Sequence, residues 1–129
     1  MKKTKRQCRV LTDPVYRTEV FFLLGGTADE LKQYFIELHG WAPDFDETTA
    51  GLQHRVVVEE VQNNRFYIWL DKPEAGNLVH ETGHLVFDIL RMIGMVSDEK
   101  NEEAFCYLQE YYFREIWAAI QDMKKRKKK

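Results

Sequence analysis

Two histidines stand four positions apart in the segment His80-Glu81-Thr82-Gly83-His84. On a helix this spacing places both imidazoles on one face, about one turn apart, so that both can bind one metal ion. Glu81 lies about 100° round the helix from His80, where its carboxylate can take a proton from a water held on the metal. The residue types and their spacing therefore indicate a zinc site in which Glu81 is the general base.

The motif needs a helix, and the apolar pattern around it predicts one. Apolar residues repeat at intervals of three and four over 78–93. Two β-rich runs, 55–61 and 65–70, precede this helix as a hairpin, and a last helix over 101–123 follows a short turn. Gly83 costs the helix about 1 kcal/mol relative to alanine, so we expect close packing to require the absence of a side chain there.

The first part of the chain predicts one more strand and one more helix. The strand, 15–24, is rich in β-branched and aromatic residues, and a helix over 28–39 follows a capping-box spacing and ends at Gly40. Layer packing then predicts an α+β fold, with a small antiparallel sheet of about three strands packed on three helices. We expect one domain over 1–129 with irregular, basic ends at 1–9 and 124–129.

A catalytic zinc needs a third protein ligand and one open position for water. Glu103 follows His84 with eighteen residues between them. That length accommodates the rest of the central helix, a reversal at Gly94, and the start of a last helix that returns alongside. We therefore predict Glu103 as the third ligand.

The pattern formed by His80, Glu81, His84 and Glu103 resembles the gluzincin clan of zinc metallopeptidases, and it implies a zincin-like fold. The sequence after Glu103 looks like that clan's glutamate helix, in which a small residue commonly stands three positions after the ligand; Cys106 does so here.

Glu102 is the alternative ligand, because Asn101-Glu102 resembles the Asn-Glu pair of several gluzincins. The small side chain of Cys106 favours Glu103, since an inward Glu102 would bring Phe105 to the close contact between the helices.

The resemblance implies a zinc-dependent enzyme that hydrolyses a peptide or protein substrate. Gluzincins stabilise the oxyanion with a tyrosine or histidine, for which the candidates are Tyr107, Tyr111 and His54. The acidic residue that often orients a metal-binding histidine is missing four positions after either ligand, so Asp88 and Glu102 are the candidates to replace it. By the same resemblance, the strand 65–70 at a sheet edge would bind substrate backbone.

Composition restricts the other classes of function. The net charge of −2 argues against a dedicated nucleic-acid binder. The sequence contains no run of about 18 apolar residues, so we expect no membrane-spanning segment. The two cysteines, Cys8 and Cys106, are a poor basis for a disulfide framework, which favours the cytoplasm. We expect a monomer. The alternative function is a catalytically inactive, zinc-stabilised binding or assembly domain, because so short a chain leaves little room for a substrate cleft.

Overall fold

The computed structural model describes residues 7–45, 51–58, 63–95 and 98–127. Within these residues the chain has the predicted α+β organisation. Its strands and α-helices are, in chain order, β1 Gln7–Thr12, β2 Glu19–Leu24, α1 Ala28–His39, β3 Gly51–Val58, β4 Asn63–Leu70, α2 Ala75–Met92 and α3 Glu102–Lys127. A 3₁₀ turn, Glu99–Asn101, leads directly into α3. No helix of the described ranges is long and apolar enough to cross a membrane.

The strands form one mixed sheet in the order β1-β2-β4-β3. The outer pairs, β1 with β2 and β3 with β4, are antiparallel, whereas the central strands β2 and β4 are parallel. The prediction of about three strands, all antiparallel, was wrong in these details. The parallel pair arises because α1 and β3 intervene between β2 and β4, so the chain crosses over before it re-enters the sheet.

The two ends of the chain carry more regular structure than the sequence predicts. β1 begins at Gln7, inside the predicted irregular segment 1–9, and its side chains alternate between half-buried and exposed. The guanidinium of Arg9 donates a hydrogen bond of 2.8 Å to Asp122 of α3, which connects the first strand to the last helix. Because α3 continues to Lys127, only 1–6 and 128–129 of the predicted irregular ends remain, and these lie outside the described residues.

Alternate side chains of the central strands pack into two separate apolar clusters, one on each face of the sheet. On one face, α2 and α3 cover Val20, Phe22, Leu24, Phe66, Ile68 and Leu70. On the other, α1 covers Leu23, Tyr67 and Trp69. This period of two follows from the pleat of the strands and explains why residues 20–24 of β2 and 66–70 of β4 are all apolar.

The first helix has the ends that its sequence predicts. Thr27 and Glu30 form a complete capping box, and Gly40 ends the helix in the left-handed conformation with φ of 79°. A left-handed residue at this position favours glycine, since residues with a Cβ are strained in that conformation.

The helices α2 and α3 pack against one another on the same face of the sheet. The ring of Phe87 lies 4.9 Å from that of Phe105, and Gln109 Nε2 donates to Thr82 Oγ1 at 3.0 Å. A later residue of α2 thus contacts an earlier residue of α3, so the two helices are antiparallel. The predicted return of the last helix beside the motif helix is therefore confirmed.

Candidate metal centre

The histidine motif lies in the first half of α2. Glu74 caps this helix, because its carboxylate accepts hydrogen bonds from the backbone N–H groups of Gly76 and Asn77. The helix then turns its apolar stripe, which includes Leu78 and Leu85, towards the sheet and α3. His80 and His84 fall on the opposite side and are exposed.

The two imidazoles converge on one point above the outer face of α2. Their Nε2 atoms lie 3.2 Å apart, and the ring centroids are 4.7 Å apart with an interplanar angle of 80°. Two nitrogens bound at about 2.0–2.1 Å to a tetrahedral zinc lie about 3.3 Å apart. The pair of histidines therefore has the separation that two ligands of one zinc ion need.

The contact between the two nitrogens is also relevant to metal binding. At 3.2 Å one Nε2 can donate a hydrogen bond to the other, in a direction that depends on the tautomers. A metal held by both Nε2 atoms requires both protons on Nδ1. A metal at this point would therefore replace the hydrogen bond between the two nitrogens.

Glu81 points between the histidine pair and the edge of the sheet. Its side chain is buried, with 8% of the residue exposed, and a Cβ added at Gly51 of β3 would lie 3.1 Å from its Oε2 atom. Burial raises the pKa of Glu81, and the positive potential of His80 and His84 opposes this rise. A carboxylate that holds a proton more readily than usual suits the work of a general base.

The predicted third ligand does not join the histidine pair. Glu103 and Glu102 are both exposed at the start of α3, and no three His, Cys, Asp or Glu side chains of the described part of the chain could share a metal ion. The cause is the rotation of α3, whose buried side includes Leu108 and Tyr112. Glu103 precedes Leu108 by five residues, which places it about 140° round the helix from the packed side.

The residue of α3 that contacts α2 is also not the one that the size of Cys106 suggested. Cys106 is exposed, and Phe105 packs on Phe87 at the contact between the helices. Glu102 lies beside Asp98, Glu99, Asn101 and Phe105, with which it lines a cavity of about 420 Å³ at the start of α3. Neither glutamate is therefore oriented towards α2 by the packing that the sequence suggested.

The other predicted site residues have roles within the fold. Asp88 accepts a hydrogen bond of 3.1 Å from Gln53 of β3. Tyr111 donates to the carbonyl of Thr12 at 2.9 Å, and Tyr107 stacks on Tyr111 with centroids 6.2 Å apart. These two tyrosines therefore lie on the side of α3 that faces β1.

The remaining oxyanion candidate, His54, pairs with Tyr67 in the β3–β4 ladder. Its side chain lies outside the described residues.

Two features beside α2 were not predicted. Gly51 leaves the space that the Glu81 carboxylate occupies, and this contact between distant residues gives no signal in the sequence. An apolar groove of about 420 Å³ separates the start of α2 from the middle of α3. It is lined by Val79, Phe105, Cys106, Gln109, Glu110 and Phe113.

Gly83 does not have the close contact that we predicted for it. A Cβ added there would meet no atom within 4 Å beyond the neighbouring residues and the backbone of its own helix. The interpretation of Gly83 as a residue required by packing within this chain was therefore wrong.

Comparisons with protein-family models, with curated proteins and with solved structures find no match for this chain.

Proposed function

We propose that the protein is a zinc-dependent peptidase in which His80 and His84 bind the metal and Glu81 is the general base. The observation that supports this proposal best is the 3.2 Å separation of the two Nε2 atoms, with the carboxylate of the next residue buried beside them. Glu103 remains the third ligand that the sequence predicts, although the packing of α3 does not favour it.

A zinc ion held by the two histidines would lower the pKa of a bound water and polarise the peptide carbonyl. Glu81 accepts the proton of the attacking water and returns it to the leaving amine. Burial beside Gly51 limits the access of bulk water to this carboxylate and restricts its movement. His80 and His84 hold their Nε2 atoms in place because α2 fixes both backbones.

The substrate backbone would pair with β3 in this proposal. We predicted that the strand 65–70 binds it, but that strand belongs to β4, which is paired on both sides by β2 and β3. β3 is an edge strand and lies next to Glu81 through Gly51. An extended peptide added to β3 would place its carbonyls beside the general base.

The substitution Glu81→Gln tests the hydrolytic function. It removes the base while retaining the size of the side chain, so we expect peptide hydrolysis to fall at least 100-fold, in line with the usual contribution of a general base of about 10²–10⁴. Zinc content, measured by elemental analysis after gentle purification, stays as in the wild type. Hydrolysis of a quenched fluorogenic peptide library at an unchanged rate would refute the enzyme proposal.

Two matched substitutions test the third ligand. Glu102→Gln and Glu103→Gln change the same chemical group at neighbouring exposed positions. If the orientation of α3 is retained in the metal-bound protein, both variants keep their zinc affinity. A loss of zinc in Glu103→Gln alone would support the ligand that the sequence predicts and would require α3 to rotate.

A second function, that of a zinc-stabilised assembly domain without catalysis, has an observation of its own in its favour. The histidine pair lies on the outer face of α2, exposed to solvent, and the described residues supply no third ligand. A metal at such a site is accessible to ligands from another molecule. The Glu81→Gln experiment distinguishes the two functions, because an assembly domain keeps its function in this variant.

We also infer that the protein is cytoplasmic, with peptides or proteins rather than nucleic acid as partners. The exposed thiol of Cys106, which forms no disulfide, supports a reducing compartment. The net charge of −2 supports the exclusion of a nucleic-acid substrate.

A further inference from the structure

The outer face of α2 carries a row of side chains at alternating intervals of three and four residues. The row consists of Asn77, His80, His84, Phe87 and Arg91. Asn77 is half-buried and the other four are exposed. This spacing keeps one continuous seam facing a neighbouring helix, as the a and d positions do in a coiled coil. Within the described chain, α3 and the sheet pack mainly on the opposite side of α2, and α3 reaches the seam at Phe87, whose ring packs on Phe105.

The histidine pair at the middle of this seam has only half of a zinc coordination shell. Its two nitrogens occupy two of four tetrahedral positions. Among the residues that the structure describes, no third His, Cys, Asp or Glu is placed to join them. Two further ligands, arranged at the same separation, would complete the shell.

We propose that a second copy of this chain completes the zinc site, so that one zinc ion is held by His80 and His84 of both copies across a two-fold axis. This inference rests on the proposed zinc binding and is independent of hydrolysis. The two α2 helices then lie side by side along their seams in antiparallel directions. A closed interface with two-fold symmetry uses the same surface of both copies, as this arrangement does.

The charges at the two ends of α2 agree with the antiparallel arrangement. The midpoint of the histidine pair falls at Thr82, with the N-cap residue Glu74 eight residues before it and Arg91 of the seam nine residues after it. A two-fold axis through this midpoint therefore brings the guanidinium of one copy towards the carboxylate of the other. A parallel arrangement would instead place like charges together.

Two other features of α2 fit a close neighbour on this side. Phe87 is 46% exposed although its ring packs on Phe105, and a second helix along the seam would cover the exposed part. Gly83 has open space above it within its own chain. A helix can approach more closely where its neighbour has no side chain.

The zinc in such a dimer has no open position for water. Structural zinc sites are closed in this way, whereas catalytic sites keep one position open. The dimer is therefore a non-hydrolytic form, and any peptidase activity belongs to the monomer.

Zinc titration of the metal-free protein tests the proposal, with the mass followed by sedimentation velocity and the bound zinc by elemental analysis. We expect the mass to double at half a zinc ion per chain and a chelator to restore the monomer. A monomer with one zinc per chain would overturn the second-copy proposal and leave the proposed zinc binding intact. Failure to bind zinc at all would overturn both.

Four variants distinguish zinc-mediated dimerisation from non-specific apolar association. His84→Ala abolishes the zinc-induced dimer, whereas Glu81→Gln retains it. Phe87→Ser weakens dimerisation about 10-fold, in line with roughly 1.4 kcal/mol of lost apolar burial. Ile36→Ser, at an equally exposed position of α1, is the matched control and leaves dimerisation unchanged. A zinc-dependent dimer that persists in His84→Ala, or equal effects of the two serine variants, would contradict the proposal.

Discussion

Two polar clusters of this protein differ in their burial and in their hydrogen-bond partners. The first surrounds Asp13, whose residue is fully buried between β1 and α3. Its carboxylate accepts hydrogen bonds from Tyr16 N–H at 2.6 Å, from Thr18 N–H at 3.0 Å and from the Tyr112 hydroxyl at 2.9 Å. The second is the pair of His80 and His84, which is exposed and whose Nε2 atoms contact each other.

The comparison separates groups that stabilise the fold from groups that can bind a ligand. Burial and the charge of Asp13 raise the pKa of Tyr112, so its hydroxyl stays protonated and remains a donor over the whole working range of pH. That cluster has its partners inside the protein. The histidine pair is held at a short separation by α2, and it is exposed to solvent. A preorganised exposed pair adds little to folding and retains its capacity for a metal.

The largest effect that we predict is on the buried cluster. Asp13→Ala removes the acceptor of three hydrogen bonds and leaves buried donors unpaired, so we expect the free energy of unfolding to fall by about 3 kcal/mol or more. His84→Ala, measured without zinc, changes it by no more than about 0.5 kcal/mol, as exposed substitutions usually do. Urea unfolding of both variants at pH 7 checks the pair.

The outcome that would break the comparison is a similar loss of stability in both variants. His84 would then contribute to the fold through a contact that its exposure does not suggest. Zinc affinity gives the reverse test, since His84→Ala should lose more than the roughly 10- to 100-fold that removal of an outer-shell partner costs.

A smaller effect is predicted at Gly83, on the same helix as the pair. Gly83→Ala should raise the free energy of unfolding by about 0.5–1 kcal/mol, because alanine restricts the unfolded chain and the new Cβ meets no atom within 4 Å. Gly40→Ala is the matched control. Its Cβ also meets no atom, but φ of 79° makes the substitution destabilising by about 1 kcal/mol.

Gly40 is needed for its left-handed backbone conformation, whereas nothing within the described part of this chain requires a glycine at position 83. If Gly83→Ala destabilises the metal-free protein, its glycine serves the fold and the argument for a close neighbour at this position is lost. Thermal unfolding of the two variants beside the wild type measures both signs.

The sequence predicted local structure better than the placement of the site. α1 has the predicted bounds, since a capping box and a left-handed glycine are signals within a few residues. β1 was missed because its six residues follow a basic block that masked their alternation. The parallel pairing of β2 with β4 depends on contacts between distant residues, for which one sequence gives no signal.

The exposed position of Glu103 follows from a pattern that the sequence already shows. The apolar stripe of α3, which includes Leu108, Tyr112 and Ile116, is the buried side of the helix in the structure, as predicted. The same stripe places Glu103 on the far side of the helix, whereas the small size of Cys106 favours the opposite orientation. Burying large apolar side chains stabilises a helix orientation more strongly than one small residue does.

The smallest effect that we predict concerns His39, which is half-buried and contacts the sheet, unlike the exposed His80 and His84. Its Nε2 atom lies 3.0 Å from the hydroxyl of Tyr67, and burial, followed by the charge of Arg65, lowers its pKa below 6.5. The neutral form is thus favoured in the folded state, so its contribution to stability is complete above the unfolded pKa. That contribution is lost as the pH falls through the folded pKa, and solvent screening limits it to roughly a few tenths of a kcal/mol. His39→Gln should therefore lose less stability than the wild type between pH 7.5 and pH 5 in urea unfolding, whereas an equal loss in both proteins would contradict this role of His39.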